Sequence, residues 1–563
     1  MTHEIRIVGE GPAATAAAAA FDDIDAALTD AERPAVSVVV IPAGGEVDIL
    51  DGAHGRVVLV EVGGVGGRPV DDLDAAVSIF GRDALRFDDL RQRVAATTDA
   101  DGSPSGDRSA VRFAGAVAGR RAVALLSGNR SVAGTVVEVA GAGVTAERRL
   151  LPVPTPEERD RTLRRDHRDV AVDDALARAE QALDERIGPI EQVGERESFP
   201  VPYYLAGVAD TQGFSDARAA EFAAGVDRDW DRAFMKALGE GLERYCAGVY
   251  RRSEFTVAPE RTRSNPIPPS RFVRPDGWEL PDSDTPIPWV RGTDLATDES
   301  ASLPAAFVHY PPPTEEYKPA ITTGLGLGNS GAEALLSGLY ETIERDATML
   351  AWYSSFEPLE LEFPDGDHHA LRRRARAEDL SVTTLLVTQD VDVPVVAAAV
   401  HRDGEWPRFA AGSAASLDPD AAARSALSEA LQNWMELRSM GPEAAASEGG
   451  AIGDYAADPT PAADFLDAGA AVPADSVGPT PPPTGSEELD AVIDRVTDAG
   501  LDAYAARTTT RDVASLGFEA VRVLVPDAQP LFQDDPFFGD RARTVPAALG
   551  FEPDLDRAYH PFP

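Results

Sequence analysis

Two kinds of apolar pattern divide the chain. Unbroken runs at residues 5–8, 36–41 and 57–62 suit strands buried on both faces of a parallel sheet. The first run leads into Gly9-Glu10-Gly11-Pro12-Ala13-Ala14, and the alanine-rich stretch after it predicts a helix to about Leu28. A polar excursion at 95–109 precedes further strand-like runs at 122–126 and 135–139. Residues 1–155 therefore predict an α/β domain of Rossmann-like type. The glycine turn matches GxGxxA, yet Pro42 follows Ile41 where an acidic residue would grip a ribose, so the expectation is a degenerate binding fold.

Proline punctuation at Leu151-Pro152-Val153-Pro154-Thr155-Pro156 marks the boundary, and a charged linking helix is expected over 156–185. Residues 186–563 predict a larger α+β domain, where helical periodicity sets Leu238, Leu242 and Cys246 in one apolar stripe. Leu339, Ile343 and Ala347 form another. Residues 441–486, rich in Ala, Pro, Asp and Gly, predict a flexible insert.

Charge narrows the function. The chain has 563 residues, and 95 acidic against 52 basic side chains give a formal net charge of −43. Such a surface repels phosphate backbones and anionic lipids, so neither nucleic acid nor membrane is an expected partner. The only lysines are Lys236 and Lys318. An acidic excess with so little lysine fits a salt-rich cytoplasm, where ions screen self-repulsion. No GxxxxGK[ST] precedes either lysine, so any use of ATP proceeds without a P-loop. The single cysteine, Cys246, excludes an internal disulfide and a cysteine zinc cage and is expected to be a buried core thiol. Met1-Thr2-His3-Glu4 does not open like a signal peptide, and no stretch is apolar enough to span a bilayer, so the expected location is cytoplasmic.

One pattern occurs twice: E-x-x-E-R at Glu240, Glu243 and Arg244, and again at Glu341, Glu344 and Arg345. Glutamates at i and i+3 share a helix face, with the arginine at i+4 above the first. An ordinary solvated, ion-paired face is the plain alternative. Two copies beside apolar stripes favour carboxylates that border the core and converge, which requires cations between them. Hard oxygen ligands suit magnesium, and a di-iron site would need the histidine of E-x-x-H. A third helix, begun by Asp418-Pro419-Asp420, puts Glu429 and Gln432 at the same spacing.

Other motifs are decoys. His167-Arg168-Asp169 and His401-Arg402-Asp403 lack the asparagine of a kinase catalytic loop. Gly328-Asn329-Ser330-Gly331-Ala332 imitates a nucleophile elbow, but no strand of β-branched residues precedes it. His368 and His369 show no metal spacing.

Taken together, Gly239-Glu240 through Arg244-Tyr245, Gly326-x-Gly328-Asn329 leading to Glu341-x-x-Glu344-Arg345-Asp346, and Leu417-Asp418-Pro419 leading to Glu429-Ala430-Leu431-Gln432 resemble the YcaO superfamily. Trp289-Val290-Arg291-Gly292, Gln529-Pro530-Leu531 and Pro561-Phe562-Pro563 extend the resemblance over roughly residues 186–563. It implies an enzyme that uses ATP and Mg2+ to phosphorylate a peptide backbone amide, giving an azoline from a neighbouring Cys, Ser or Thr in a ribosomal peptide. Thioamide formation with a sulfur-delivering partner, or a docking scaffold without turnover, are the alternatives. By the same resemblance Glu240, Glu243, Glu341 and Glu344 surround Mg2+, with Arg244 and Glu429 beside the nucleotide, Glu344 central to the chemistry, and Pro561 and Pro563 shaping the site. The first domain resembles the degenerate activating-enzyme-like domain that recruits leader peptides, without its zinc cysteines. A substrate peptide, a partner maturation subunit and a homodimer are the implied partners. Ala237, Ser337 and Ser425 stand where the family often has other residues, as does Gly225-Val226-Asp227 in place of glycine-lysine-glycine.

Overall fold

The computed structural model describes residues 3–563 apart from 23, 25, 32, 47–54, 82–84, 99–101, 142, 156–158, 315–316, 364–366 and 448–449. It divides into two units. The first comprises Met1–Arg159, Glu180–Gln192 and Ala209–Arg218, and the second Asp160–Ala179, Val193–Val208 and Ala219–Pro563.

Valine-rich runs build a seven-stranded sheet in the first unit, ordered Ala26–Leu28, His3–Val8, Val36–Pro42, Val57–Val62, Ala75–Phe80, Thr135–Ala140, Gly143–Arg149. The first four strands are parallel and the remaining pairings antiparallel. Val38 and Val58 bury towards helices Pro12–Ala19 and Arg108–Leu126, whereas Val39 and Leu59 bury towards helix Phe87–Thr97. Both faces are covered, which explains runs that barely alternate. Gly115 lets the two helices touch, because a Cβ there would lie 2.2 Å from the Ala13 carbonyl oxygen.

Three local expectations change. The alanine-rich helix ends at Ala19, where the chain turns and Phe21 enters the core, and Ala26–Leu28 forms a strand beside His3–Val8. The apolar run 122–126 ends a 19-residue helix, with Ala122 and Leu125 facing inward at helical spacing. The 95–109 excursion begins inside helix Phe87–Thr97, and residues 99–101 lie outside the described residues.

The second unit carries two larger sheets besides the strand pair Tyr203–Val208 and Phe222–Val226. One is ordered Thr256–Pro259, Pro286–Asp294, Tyr504–Arg507, Glu519–Leu524, Leu325–Gly328, with Ser300–Pro304 also paired to Pro286–Asp294. The other is ordered Phe409–Ala415, Val395–His401, Ser381–Leu386, Leu359–Glu362, Ala471–Pro473. Three long helices pack on these sheets: α1 (Trp230–Gly248), α2 (Gly331–Trp352) and α3 (Pro419–Met440). Leu339, Ile343 and Ala347 of α2 join Val521, Val523 and Phe562 in one core, and Ala426 and Ala430 of α3 join Val396 and Ala410 in another. Leu238, Leu242 and Cys246 of α1 are fully buried, as the apolar stripe and the core-thiol expectation required.

The expected linking helix over 156–185 is largely absent. Residues 156–158 lie outside the described residues, and only Val172–Ala179 is α-helical. Upstream, arginines hold an extended strap: Arg164 Nη1 donates to Glu519 Oε1 at 2.9 Å and Arg165 Nη1 to the Leu295 carbonyl at 3.0 Å. Fixed tertiary partners outweigh helix propensity there. The described part of 441–486 is likewise not a plain loop. It forms helices Pro442–Ala445, Ile452–Ala457 and Ala463–Leu466, its Ala471–Pro473 strand pairs with Leu359–Glu362, and Tyr455 and Phe465 are buried.

Candidate active site

The second unit holds a cavity of about 630 Å3 whose walls come from α1, α2, α3 and the Phe409–Ala415 strand. Each helix begins on a defined signal. Asp229 caps α1 by accepting the Arg232 amide at 3.1 Å, and Asp418 caps α3 by accepting the Asp420 amide at 3.1 Å, just ahead of Pro419. Ser330 precedes α2, and a Leu-Gly-Leu-Gly strand, Leu325–Gly328, leads into it although no β-branched run marks it. The Ser330 hydroxyl is buried without a hydrogen-bond partner among the described residues, and nothing there acts as its base.

From these helices Glu240, Glu243, Glu344 and Glu429 line the cavity. Ser413 joins two of them: its hydroxyl donates to Glu344 Oε1 and its amide to Glu429 Oε2, each at 2.7 Å. Arg345 Nε stands 3.5 Å from Glu344 Oε1, and its Nη2 is 3.8 Å from Glu429 Oε1. Glu240 accepts the Ala224 amide at 3.1 Å and Arg244 Nη2 at 2.9 Å. Glu341 is not part of the cavity wall; it accepts the Gly324 amide at 3.0 Å.

Electrostatics tie the carboxylates together. Burial pushes Glu344 up to about 8, against the opposing pull of Arg345 and with the charge of Glu429 adding to the rise. Burial also pushes Glu243 up to about 8, Arg244 opposing and Glu341 and Glu240 reinforcing. Glu429 is raised by burial as well. Crowded carboxylates in a partly dry cavity favour the proton or a cation.

Magnesium fits this arrangement in one specific way. Among the described residues no group of three or more His, Cys, Asp or Glu is gathered tightly enough to hold an ion unaided. The four glutamates predicted around Mg2+ therefore do not form a closed cage, because Glu240 and Glu341 are tethered to separate backbone amides. Magnesium commonly takes only one or two carboxylates and completes its octahedron with phosphates and water. Wall-mounted glutamates facing a cavity of this size suit that mode.

The remaining predicted positions separate. Pro561 lies in an apolar pocket with Trp352, Leu385, Phe409 and Phe465, away from the carboxylate cavity. Pro563 is linked to the site through Arg345, whose Nη1 donates to the Pro563 carbonyl at 2.9 Å. Ser337 and Ser425 line the cavity, whereas Ala237 is buried against Gly225, where a Cβ would lie 2.2 Å from the Ala237 amide nitrogen. Three further groups at the site were not among the predicted residues. Arg345 was visible as the last position of the second E-x-x-E-R. Ser413 had no sequence signal, since its link to Glu429 spans 16 residues. Lys236 lines the cavity and pairs with Asp227 at 2.9 Å, so a lysine borne by α1 stands beside Gly225-Val226-Asp227.

Comparison with known proteins identifies the family. The model of a family described as YcaO cyclodehydratase, ATP- and Mg2+-binding, matches residues 224–529, more than half of the chain. An uncharacterized protein of Methanothermobacter thermautotrophicus is 30% identical over 227 residues, covering 38% of this chain and 57% of that protein. An uncharacterized protein in the tfuA 3′ region of Rhizobium leguminosarum bv. trifolii is 29% identical over 167 residues, covering 26% and 39% respectively. The matches thus span about half the length of these curated relatives or less. Among solved structures, a heterocyclase in complex with substrate and cofactor superposes with a TM-score of 0.75 at 18% identity, over 100% of this chain and 85% of its own. The heterocyclase TruD gives 0.62 at 15% identity, over 98% and 82%. YcaO from Methanopyrus kandleri, bound with AMPPCP and Mg2+, gives 0.51 at 24% identity, over 65% and 93%. With the repeated glutamate pairs on two facing helices, Glu429 on a third, and the family match running through all three, the chain belongs to the YcaO cyclodehydratases, a family that binds ATP and Mg2+.

Proposed function

We propose that this chain uses ATP and Mg2+ to phosphorylate a backbone amide of a ribosomal peptide and so close an azoline ring. The side-chain thiol or hydroxyl of a Cys, Ser or Thr adds to the carbonyl carbon of the preceding residue. The carbonyl oxygen then takes the γ-phosphoryl group, leaving ADP. Loss of inorganic phosphate and of the amide proton gives the C=N bond, so one water equivalent leaves the peptide and ATP receives it. The amide oxygen leaves poorly until it is phosphorylated, which is why the ring closure needs ATP.

When bound, Mg2+ disperses charge on the transferring phosphoryl group. Glu240, Glu243 and Glu344 are the residues that would hold it from the cavity wall, with Glu341 reinforcing their negative field from behind. Ser413 fixes the orientation of Glu344 and Glu429, and Arg345 and Arg244 set a positive edge beside the carboxylates. The observation that carries the reading is the junction of Glu344 and Glu429, from different helices, on the single residue Ser413. The first unit, with its four parallel strands, serves in this reading as the degenerate activating-enzyme-like domain that recruits the peptide.

The test is incubation of the full chain with ATP, Mg2+ and a peptide rich in Cys, Ser and Thr in concentrated KCl. The reading expects phosphate release together with loss of one water mass per ring, both abolished in Glu344→Gln. Turnover that persists in Glu344→Gln would contradict the assignment.

A further inference from the structure

A second, smaller cavity of about 40 Å3 in the same unit is lined by Lys318, Thr323, Thr342, Arg345, Arg522 and Gln529, with Phe272 and Val273 closing it. Its charges are unbalanced. Lys318 is half-buried, and its ammonium lies 5.4 Å from the centre of the Phe307 ring. Among the described residues it has no hydrogen bond and no ion pair.

Arg522 is buried at 3% exposure. Its Nη1 and Nη2 donate to the carbonyls of Thr322 and Ile321 at 2.8 and 2.9 Å, while Nε is buried with no acceptor. No described carboxylate lies within ion-pair distance of either cation, in a chain with 95 acidic side chains. Arg345 adds a third positive charge to the wall, already shared with Glu344, Glu429 and the Pro563 carbonyl.

Buried cations left without a partner are costly, and the usual remedies are a counter-ion or loss of the proton. We propose that this cavity holds a halide ion between the Lys318 ammonium and the orphan Arg522 Nε. Size supports a monatomic occupant: the space accommodates about three waters at roughly 10–15 Å3 each, too little for a peptide carboxylate with its chain. Donor chemistry agrees, since the lining includes the Lys318 ammonium, the Arg522 and Arg345 guanidinium groups and the Thr323 and Thr342 hydroxyls, and no carboxylate. The apolar walls favour a weakly hydrated anion. The electrostatics are consistent: burial, with Arg522 nearby, pushes Lys318 down to about 7, and burial pushes Arg522 down to about 10 although the more distant charges of Glu341 and Glu243 oppose the fall.

Thermal unfolding of the full chain tests the site in matched concentrations of potassium chloride, potassium glutamate and potassium phosphate, with Lys318→Met as the comparison. Methionine keeps the length of the stem and removes the charge. The proposal expects chloride to raise the wild-type midpoint above glutamate by several degrees more than it does in Lys318→Met. Equal chloride-over-glutamate differences in the two proteins would overturn it. A Lys318-dependent gain from phosphate but not chloride would also overturn it in favour of an oxyanion. A second measurement needs only the wild type: crystals soaked in bromide should show an anomalous peak between Lys318 Nζ and Arg522 Nε, and a map without that peak contradicts the proposal.

Discussion

Glu344 and Ser413 show how much one hydrogen bond can decide at this site. Glu344 is 8% exposed and negative only at a cost, so its orientation depends on the Ser413 hydroxyl at 2.7 Å and on Arg345 at 3.5 Å. Ser413→Ala removes that donor while keeping the amide bond to Glu429. Partners that orient a metal ligand typically contribute about 10–100-fold in affinity. The expected outcome is a loss of Mg2+ affinity of roughly tenfold with little change in folding, read from Mg2+ titrations of nucleotide binding. The glutamates were legible in the sequence because i, i+3 spacing is a local property. Ser413 was not, because its role exists only once the Phe409–Ala415 strand lies against α3. The place of Pro561 was not legible for a related reason: a short proline pattern says nothing of which pocket receives each ring.

Elements meet at the site through residues without side chains. Gly225 presses the Phe222–Val226 strand onto α1 so closely that a Cβ would lie 2.2 Å from Ala237 nitrogen and 2.3 Å from the Ala233 carbonyl oxygen. Those atoms are helix backbone and cannot rotate away. Gly225→Val should therefore destabilise the unit by at least the ~1–3 kcal/mol typical of overpacked cores, measured as a lowered denaturation midpoint. Ala237 itself is fully buried at this contact. Strand and helix assignment followed the strength of the pattern. The stripes of α1 and α2 were readable because i, i+4, i+8 spacing held over Leu238, Leu242 and Cys246 and over Leu339, Ile343 and Ala347, whereas residues 122–126 offered five apolar positions that suit either element. The strap after residue 159 was misread because its arginines are satisfied by partners hundreds of residues away, such as Glu519.

At the scale of the whole molecule, charge governs stability. A net charge of −43 implies self-repulsion that salt relieves, so lowering KCl from molar to millimolar should lower the thermal midpoint markedly, measured by circular dichroism. Magnesium should act on the same balance with a definite dependence on pH. Glu243 and Glu344 sit at about 8, above the ordinary carboxylate value of 4.5, so the metal-free folded state binds more protons than the unfolded chain. Stability of the metal-free protein should accordingly fall as pH rises from about 4.5 through about 8. Mg2+ competes with those protons, so its stabilising effect should grow over the same interval; a Mg2+ shift in midpoint that is equal at pH 6 and pH 8 would oppose this linkage.

Carboxylates from three helices are proposed to form one Mg2+–nucleotide site. Calorimetric titration of ATP into the full chain in concentrated KCl, with and without Mg2+, measures it directly for wild type and Glu344→Gln. The expected result is binding that requires Mg2+ and disappears in the variant while its thermal unfolding remains cooperative. Nucleotide binding that ignores Mg2+, or that survives intact in Glu344→Gln, would contradict it.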